Sequence, residues 1–263
     1  MSTIGDRCKA FEQAEAGRRA MLGLPILARL DGRAFHTFTR GMRRPFDEAM
    51  SRSMIDTTKY LVAKTHAAVG YTQSDEITLA WLMAGETSQP LFDGKYQKLT
   101  SVLAGMASVV FYKAIVARMP DCADDVPHFD CRVWQVPTVS DAADVFVWRE
   151  DDATKNSISM AAQSAFSHRE LLNKHTGEMQ EMLHARGINW NDYQAFFKRG
   201  TYVRRVTSTR TLTEEERARI HAAHRPAADA TFLRSEIVEL SIGPIRRFEE
   251  QRVALLFGLE ASQ

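Results

Sequence analysis

The buried-strand pattern of this chain is clearest in Pro25-Ile26-Leu27-Ala28-Arg29-Leu30, which ends in Asp31-Gly32-Arg33. A second acidic segment, Gln73-Ser74-Asp75-Glu76, lies between the apolar runs 67–72 and 77–82. Carboxylates at the end of a buried strand and at a hairpin tip can converge on one edge of a sheet. Convergent Asp and Glu oxygens suit Mg2+, which in such a place normally binds the phosphates of a nucleotide. Asp-Gly and Ser-Asp are also ordinary turn dipeptides, so the alternative for either segment alone is a plain loop.

Hydrophobic periodicity and turn signals around these segments predict the remaining elements. We expect a polar helix at 4–20, a buried strand at 25–30, an Arg-rich loop at 31–44, a helix at 47–66 with Asp47 as its N-cap, a hairpin at 69–72 and 77–82, a loop at 85–91, a helix at 99–117, a strand at 127–136 and a helix that Ser140 caps and that runs toward Phe166. The order strand, helix, strand, strand, helix, strand is the split βαβ, ferredoxin-like pattern. The expected fold class is therefore α+β, a polymerase or cyclase palm with an antiparallel sheet.

Length and composition set the outer limits. The chain has 263 residues, of which 44% are hydrophobic and 25% charged, so it can bury a sizeable core. Its net charge of +1 means that any contact with RNA must come from local basic patches. Three unclustered cysteines, Cys8, Cys122 and Cys131, argue against a disulfide framework and favour a reducing cytoplasm. We see no secretory signal and no apolar run that approaches the length of a membrane span.

The sequence changes character after Phe166, where it becomes polar and is expected to be mainly helical, with helices at 170–186 and 213–224. Two regions follow from this change. Residues 1–166 are expected to form the palm-like catalytic domain with its N-terminal helix. Residues 167–263 are expected to form a mainly helical C-terminal extension that carries a basic, RNA-contacting segment from Lys198 to Arg205.

The chain resembles the tRNA-histidine guanylyltransferase family and its guanylyltransferase-like relatives in Asp31-Gly32-Arg33-x-Phe35-His36-x-Phe38 and Tyr71-x-Gln73-Ser74-Asp75-Glu76. The resemblance continues in the same order through His128-Phe129-Asp130-x-Arg132, Trp148-Arg149-x-x-Asp152 and Lys198-Arg199-Gly200-Thr201. It implies an enzyme that extends the 5′ end of tRNA in the 3′-to-5′ direction. Such an enzyme first activates a 5′-monophosphate with ATP or GTP, and the 3′-hydroxyl of a nucleoside triphosphate, typically GTP, then attacks the activated end.

This resemblance, together with the chemistry of phosphoryl transfer, suggests a role for each candidate residue. Asp31, Asp75 and Glu76 are the expected catalytic carboxylates and, with the Gly32 carbonyl, the expected ligands of two Mg2+ ions. The expected nucleotide-binding residues are Arg33, Ala34, Phe35, His36, Arg43, Arg44 and Ser74, with Arg40 nearby. The expected RNA-binding residues are Lys155, Asn156, Lys198, Arg199 and Arg204, and Arg205 extends the patch. The alternatives are a solvated loop for the arginines, a buried structural role for His36 and a charged edge strand for the basic segment. Family members also assemble as tetramers, so the resemblance implies a homo-oligomer, tetramer or dimer. We expect no membrane among the partners of this protein.

One departure concerns specificity. Guanylyltransferases of the eukaryotic type carry His-Ile-Asn-Asn-Leu-Tyr-Asn after the Trp-Arg helix, whereas this chain has Thr154-Lys155-Asn156-Ser157-Ile158-Ser159-Met160. The change favours the template-dependent, guanylyltransferase-like branch over strict tRNA-His specificity. Two other functions remain open on the residues alone: a palm-type nucleotide cyclase that needs no RNA, and a non-catalytic RNA-binding protein. The basic segment argues against the first and the intact acids argue against the second.

Overall fold

The computed structural model describes residues 3–83, 89–227, 229–240 and 242–259. The first part of the loop expected at 85–91 lies outside these residues. The helices are α1 (Ile4–Ala16), α2 (Phe35–Phe38), α3 (Glu48–Thr65), α4 (Tyr96–Arg118), α5 (Val139–Ala165), α6 (His168–Leu171), α7 (Thr176–Ala185), α8 (Ala195–Arg199), α9 (Glu214–Arg219) and α10 (Arg252–Phe257). The strands are β1 (Ile26–Gly32), β2 (Val69–Gln73), β3 (Glu76–Trp81), β4 (Phe129–Gln135), β5 (Thr201–Thr211) and β6 (Thr231–Leu240).

All six strands form one antiparallel sheet in the order β4-β1-β3-β2-β5-β6. The first four strands and the helices between them follow the split βαβ pattern. The predicted mixed α/β fold with an antiparallel sheet is therefore confirmed, as is the hairpin of β2 and β3. Helix α3 begins as expected, because the Asp47 side chain accepts hydrogen bonds from the main-chain N–H groups of Ala49 and Met50.

The alternation of side chains along β1 assigns the two faces of the sheet. Ile26, Ala28 and Leu30 pack in a core cluster with buried residues of α3 and α4. Leu27 packs on the opposite face with Phe146 and other buried residues of α5. Arg29 and Asp31 follow Leu27 in the alternation, so they belong to the α5 face. The charged residues of β1 are thus on the face that α5 covers.

The C-terminal region departs from the mainly helical extension expected for 167–263. Strand β5 pairs with β2, and β6 pairs with β5, so this region extends the same sheet that carries the acidic segments. Strand β5 is rich in Thr and Val, which favour strands. The helix expected at 170–186 is interrupted at Asn173, whose φ is 60°, and α7 begins anew after its N-cap His175. The helix expected at 213–224 is the six-residue α9 followed by a short 3-10 turn.

Two further expectations need correction. Thr138, not Ser140, caps α5, because its hydroxyl accepts a hydrogen bond from the N–H of Asp141 in a capping box. Within the described ranges, α4 is long and apolar enough to cross a membrane by length and composition, contrary to the expectation that no run approaches that length. Its Leu103 and Phe111 are fully buried in the core cluster shared with α3.

Candidate active site

Strand register brings the predicted acids to one row of the sheet. Asp31 lies directly opposite Glu76 of β3 on one side and Asp130 of β4 on the other. Directly opposed residues point to the same face, with Cβ atoms about 4.5–5.5 Å apart. We call Asp130, Asp31 and Glu76 the acid row. It lies at the end of the sheet where the β2–β3 hairpin turns.

A main-chain hydrogen bond joins Asp75 to this row. The N–H of Gly32 donates to the carbonyl oxygen of Asp75 at 3.0 Å, so the hairpin tip is tied to the end of β1. Ser74 makes the turn possible with a left-handed φ of 48°. The structure therefore brings Asp31, Asp75 and Glu76 together, although 44 residues separate the first two in sequence.

The surroundings of Asp75 disfavour the ionised form of its carboxyl group. Burial raises the pKa of this carboxyl, and the negative charge of Asp31 raises it further, while a hydrogen bond from the Ser74 side chain lowers it. Two carboxylates that repel each other at a partly buried place form a site that a cation stabilises.

These two acids fit the binding habits of magnesium. Within the described ranges, no group of three or more His, Cys, Asp or Glu side chains is placed to hold a metal ion by itself. Magnesium is usually held through one or two carboxylates, with waters and substrate phosphates completing its shell. Asp31 and Asp75 supply that number, and the backbone of Gly32 lies between them.

Glu76 differs from the other two acids because it already has a partner. Its two carboxylate oxygens accept hydrogen bonds from Arg149 of α5, at 2.6 Å from Nε and 2.8 Å from Nη2. The Arg29 Nε is 3.7 Å from Glu76 Oε2. Burial raises the pKa of Glu76 and the Arg149 guanidinium opposes that shift. Its role as a metal ligand stays a prediction, and its observed contact is a buried ion pair that ties β3 to α5.

Gly32 has a packing role in addition to its predicted one. A Cβ atom at this position would come within 2.4 Å of the Phe35 ring. That ring is buried and contacts Phe38, Phe111 and Phe129, at centroid distances of 5.2, 5.4 and 5.1 Å. Phe35 thus anchors the start of α2 in the core next to the acid row, and only glycine leaves room for it.

A cavity of about 270 Å3 opens beside Asp75. Five of the predicted nucleotide-binding residues line it, namely Phe35, His36, Arg43, Arg44 and Ser74. Its other walls include Asp47 and Met50 at the start of α3, Ser157 and Met160 of α5, and the aromatic group Phe46, Phe196 and Phe197. Phe46 stacks on Phe197 with ring centroids 4.7 Å apart. One wall of this cavity is thus basic and another aromatic.

The remaining predicted nucleotide-binding residues lie next to the cavity rather than on its wall. Arg33 is exposed, and its N–H donates to the carbonyl oxygen of His128, which extends the pairing of β1 with β4. Ala34 is exposed and caps α2 with a left-handed φ of 56°. Arg40 is also exposed. Their contact with a nucleotide stays a prediction.

The predicted RNA-binding residues fall into two groups. Lys155 and Asn156 are exposed on α5. Lys198 donates from its ammonium group to the carbonyl oxygen of Asn191, and Arg199 lies 5.6 Å from the centroid of the Trp190 ring. Trp190 is buried and donates its indole N–H to Ser157. The first group is free to contact a polyanion, whereas the second is partly engaged at the α5–α8 junction.

Arg204 is partly buried and hydrogen-bonded to the main chain. Its Nη1 donates to the carbonyl oxygens of Ala254 and Leu255, at 3.4 and 3.1 Å, so the guanidinium caps the end of α10. Burial lowers the pKa of Arg204. This geometry gives Arg204 a structural contact, and its predicted contact with RNA stays a prediction. Arg205 likewise donates to the main-chain oxygen of Ala63 at 3.1 Å.

Sequence reasoning gave no role to Arg149, Asp130 or the aromatic wall of the cavity. Arg149 and Asp152 were visible only as part of a family motif, and their i, i+3 spacing is compatible with the ion pair that they form at 2.8 Å. The partner of Arg149 across the sheet, 73 residues away, has no local signal. Asp130 was also visible only as a motif residue, and the β1–β4 register gives it a place beside Asp31.

Comparisons with known proteins identify the family of this chain. The family model described as Thg1, tRNAHis guanylyltransferase, matches residues 5–137. A bacterial tRNA(His) guanylyltransferase (Thg1)-like protein solved in complex with ATP is 37% identical, covers 78% of this chain and 87% of that one, and superposes with a TM-score of 0.73. A bacterial protein of the same description solved with GTP is 30% identical over 97% of this chain and 100% of that one, with a TM-score of 0.73.

Two curated proteins are also similar to this chain. The tRNA(His) guanylyltransferase of Debaryomyces hansenii is 28% identical over 83% of this chain and 90% of its own length. Protein R259 of Acanthamoeba polyphaga mimivirus is 38% identical over 41% of this chain, and the match spans only 39% of that protein's length.

Proposed function

Because this chain belongs to the tRNAHis guanylyltransferase family, a family of nucleotidyltransferases, we propose that it adds nucleotides, typically G, to the 5′ end of a tRNA in the 3′-to-5′ direction, after activating that end with ATP or GTP. The observation that carries the proposal is the hydrogen bond between Gly32 and Asp75, which ties the strand end that carries Asp31 to Asp75 on the wall of the basic cavity.

The cavity supplies the binding half of this chemistry. Phosphoryl transfer depends mainly on positioning and on neutralising charge. Arg43, Arg44 and His36 line the wall and can bind triphosphate oxygens, the arginines in bidentate fashion. Phe46 and Phe197 form an apolar surface suited to the flat face of a nucleobase. The nucleotides present in the two bacterial relatives support this assignment.

The acid pair supplies the catalytic half. Asp31 and Asp75 would hold Mg2+, which when bound neutralises phosphate charge and lowers the pKa of an attacking hydroxyl. The chain itself keeps both carboxylates fixed by backbone hydrogen bonds and sheet register. Arg149 holds Glu76 in place through two hydrogen bonds, so that the turn carrying Asp75 has a rigid base.

Substrate choice and assembly are part of the same proposal. Thr154, in place of the histidine found in eukaryotic family members, favours repair of several tRNA 5′ ends over strict action on tRNA-His. The sheet is proposed to act as a polymerase palm with two Mg2+ ions. We also propose that the protein is a cytoplasmic homo-oligomer, tetramer or dimer, which light scattering during gel filtration can measure.

The test is a transfer assay with matched acid variants. Wild-type protein, 5′-monophosphorylated tRNA, Mg2+ and labelled GTP or ATP are expected to yield lengthened RNA. Asp31→Asn and Asp75→Asn should lose at least about a hundredfold in rate, whereas Asp124→Asn, at an exposed loop position, should retain the wild-type rate. A cyclic or dinucleotide product formed without RNA would instead identify a nucleotide cyclase. RNA binding with no product would identify a non-catalytic protein.

A further inference from the structure

Trp148 is a large aromatic residue left open to solvent beside the acid row. Its side chain, on α5, is 48% exposed, although the next residue, Arg149, is buried. The Arg149 guanidinium carbon lies 4.5 Å from the centroid of the indole, and that of Arg29 lies 5.7 Å away. These two arginines are also the ones that contact Glu76, so the same contacts hold the indole and the acid row.

A second row of the sheet adds positive charge next to this indole. Arg29 lies directly opposite Arg132 of β4, two residues from the acid row and on the same face. The Arg132 side chain is 59% exposed, and its ion pair with Asp130 is long at 3.9 Å. The Nε of Arg29 is buried, and no atom of the described residues accepts a hydrogen bond from it. Trp148, Arg29 and Arg132 therefore form an aromatic and cationic surface, which we call the tryptophan surface.

The tryptophan surface is separate from the nucleotide cavity. None of its three residues lines that cavity, whose walls come from the 35–51 segment, the hairpin tip, the C-terminal half of α5 and α8. Strand β4, on which Arg132 lies, is an edge strand of the sheet, whereas the cavity is bounded by α3 and α8. The cavity and the tryptophan surface are thus two separate places near the acid row, and the proposed reaction needs two substrates.

We propose that the tryptophan surface binds the 5′-terminal nucleotide of the RNA substrate, with the terminal base stacked on Trp148 and a backbone phosphate at Arg132. This proposal rests on the proposed function, because it assigns the second substrate of that reaction. An aromatic ring flanked by arginines suits a nucleic acid, since bases of every sequence stack on indole and phosphates pair with guanidinium groups.

The test distinguishes the effect of the aromatic ring of Trp148 from the effect of its size. Trp148→Leu removes the aromatic face, Trp148→Phe retains a ring, and Phe11→Leu changes an exposed aromatic residue on the remote helix α1. Affinity for a 5′-monophosphorylated RNA oligonucleotide, measured by fluorescence anisotropy without nucleotide, should fall about five- to hundredfold in Trp148→Leu. It should fall less in Trp148→Phe and stay unchanged in Phe11→Leu. Affinity for GTP should be the same in all four proteins.

Two further measurements keep the outcome decisive. RNA should quench the fluorescence of wild-type protein, and this quenching should be lost in Trp148→Phe, which retains the other three of the four tryptophans. Arg132→Gln should reduce the slope of log affinity against log salt concentration by about 0.7, as one lost phosphate contact requires. Unchanged RNA affinity in Trp148→Leu, or an equal loss of GTP affinity, overturns the proposal. Wild-type protein that binds RNA through Trp148 but never lengthens it would refute the proposed function alone.

Discussion

The ion pair between Arg149 and Glu76 permits a quantitative prediction about stability. Arg149→Met removes two hydrogen bonds of 2.6 and 2.8 Å and leaves a carboxylate that is only 8% exposed. The nearest remaining cation, Arg29, is 3.7 Å from that carboxylate. Removing one partner of a buried pair typically costs about 3–5 kcal/mol. The lost contact with Asp152, which is partly exposed, adds only about 0.5 kcal/mol.

Urea unfolding of four proteins measures this cost. Arg149→Met should lower the free energy of unfolding by about 3–5 kcal/mol at pH 7, and Arg149→Met combined with Glu76→Leu should recover most of that loss, because the buried charge is then absent. The matched control is Arg246→Met, which removes an exposed ion pair with Asp151 and should cost less than about 1 kcal/mol.

The pH dependence has a definite sign. Burial raises the pKa of Glu76 above its value in the unfolded chain, and loss of Arg149 removes the opposing effect. A raised folded-state pKa means that the ionised carboxyl costs stability above that pKa and that the cost is relieved as the pH falls through it. The deficit of Arg149→Met relative to wild type should therefore shrink from pH 8 toward pH 5. A deficit below 1 kcal/mol at pH 7, or one that is constant with pH, would refute this account of the pair.

Three other variants test neighbouring features. Gly32→Ala forces a Cβ into the Phe35 ring and should lower the free energy of unfolding in urea by about 1–3 kcal/mol. The same change should cost less when it is added to Phe35→Leu and compared with Phe35→Leu alone. Burial raises the pKa of Glu150, which accepts a hydrogen bond from Tyr202 at 2.7 Å. Glu150→Gln should therefore raise the melting temperature relative to wild type at pH 8, and by less at pH 5. A lower melting temperature for Glu150→Gln at pH 8 would contradict this. Thr138→Ala removes the cap of α5 and should cost about 1 kcal/mol, whereas Thr138→Ser should cost little.

The parts of the fold that the sequence predicted are those with local signals. β1 and the β2–β3 hairpin have apolar runs that end at turn residues, and α3 has both an apolar stripe and its cap Asp47. The start of strand β5 was foreseen only as the alternative of a charged edge strand for the basic segment, because its charged and hydroxylated residues resemble a solvated segment. It becomes a strand by pairing with β2 and β6, which are distant in sequence.

The candidate site likewise has features that the sequence predicts and features that depend on contacts between distant segments. The meeting of Asp31 with Asp75 could be predicted, because a strand end and a hairpin tip in a split βαβ pattern lie at the same edge. The ion pair between Glu76 and Arg149 could not be predicted, because it depends on where α5 crosses the sheet. Arg204 has the same charge as Arg205 beside it, and only the position of α10 shows that its guanidinium is hydrogen-bonded to main-chain oxygens.

The main-chain hydrogen bond that joins Gly32 to Asp75 has a consequence for how such proteins can diverge. Because both partners of that hydrogen bond are main-chain groups, the bond does not depend on the carboxyl groups of Asp31 and Asp75. A descendant that replaced either acid would lose the reaction and still present the same scaffold to a nucleotide. Loss of catalysis and loss of ligand recognition are thus separable events in the history of this architecture.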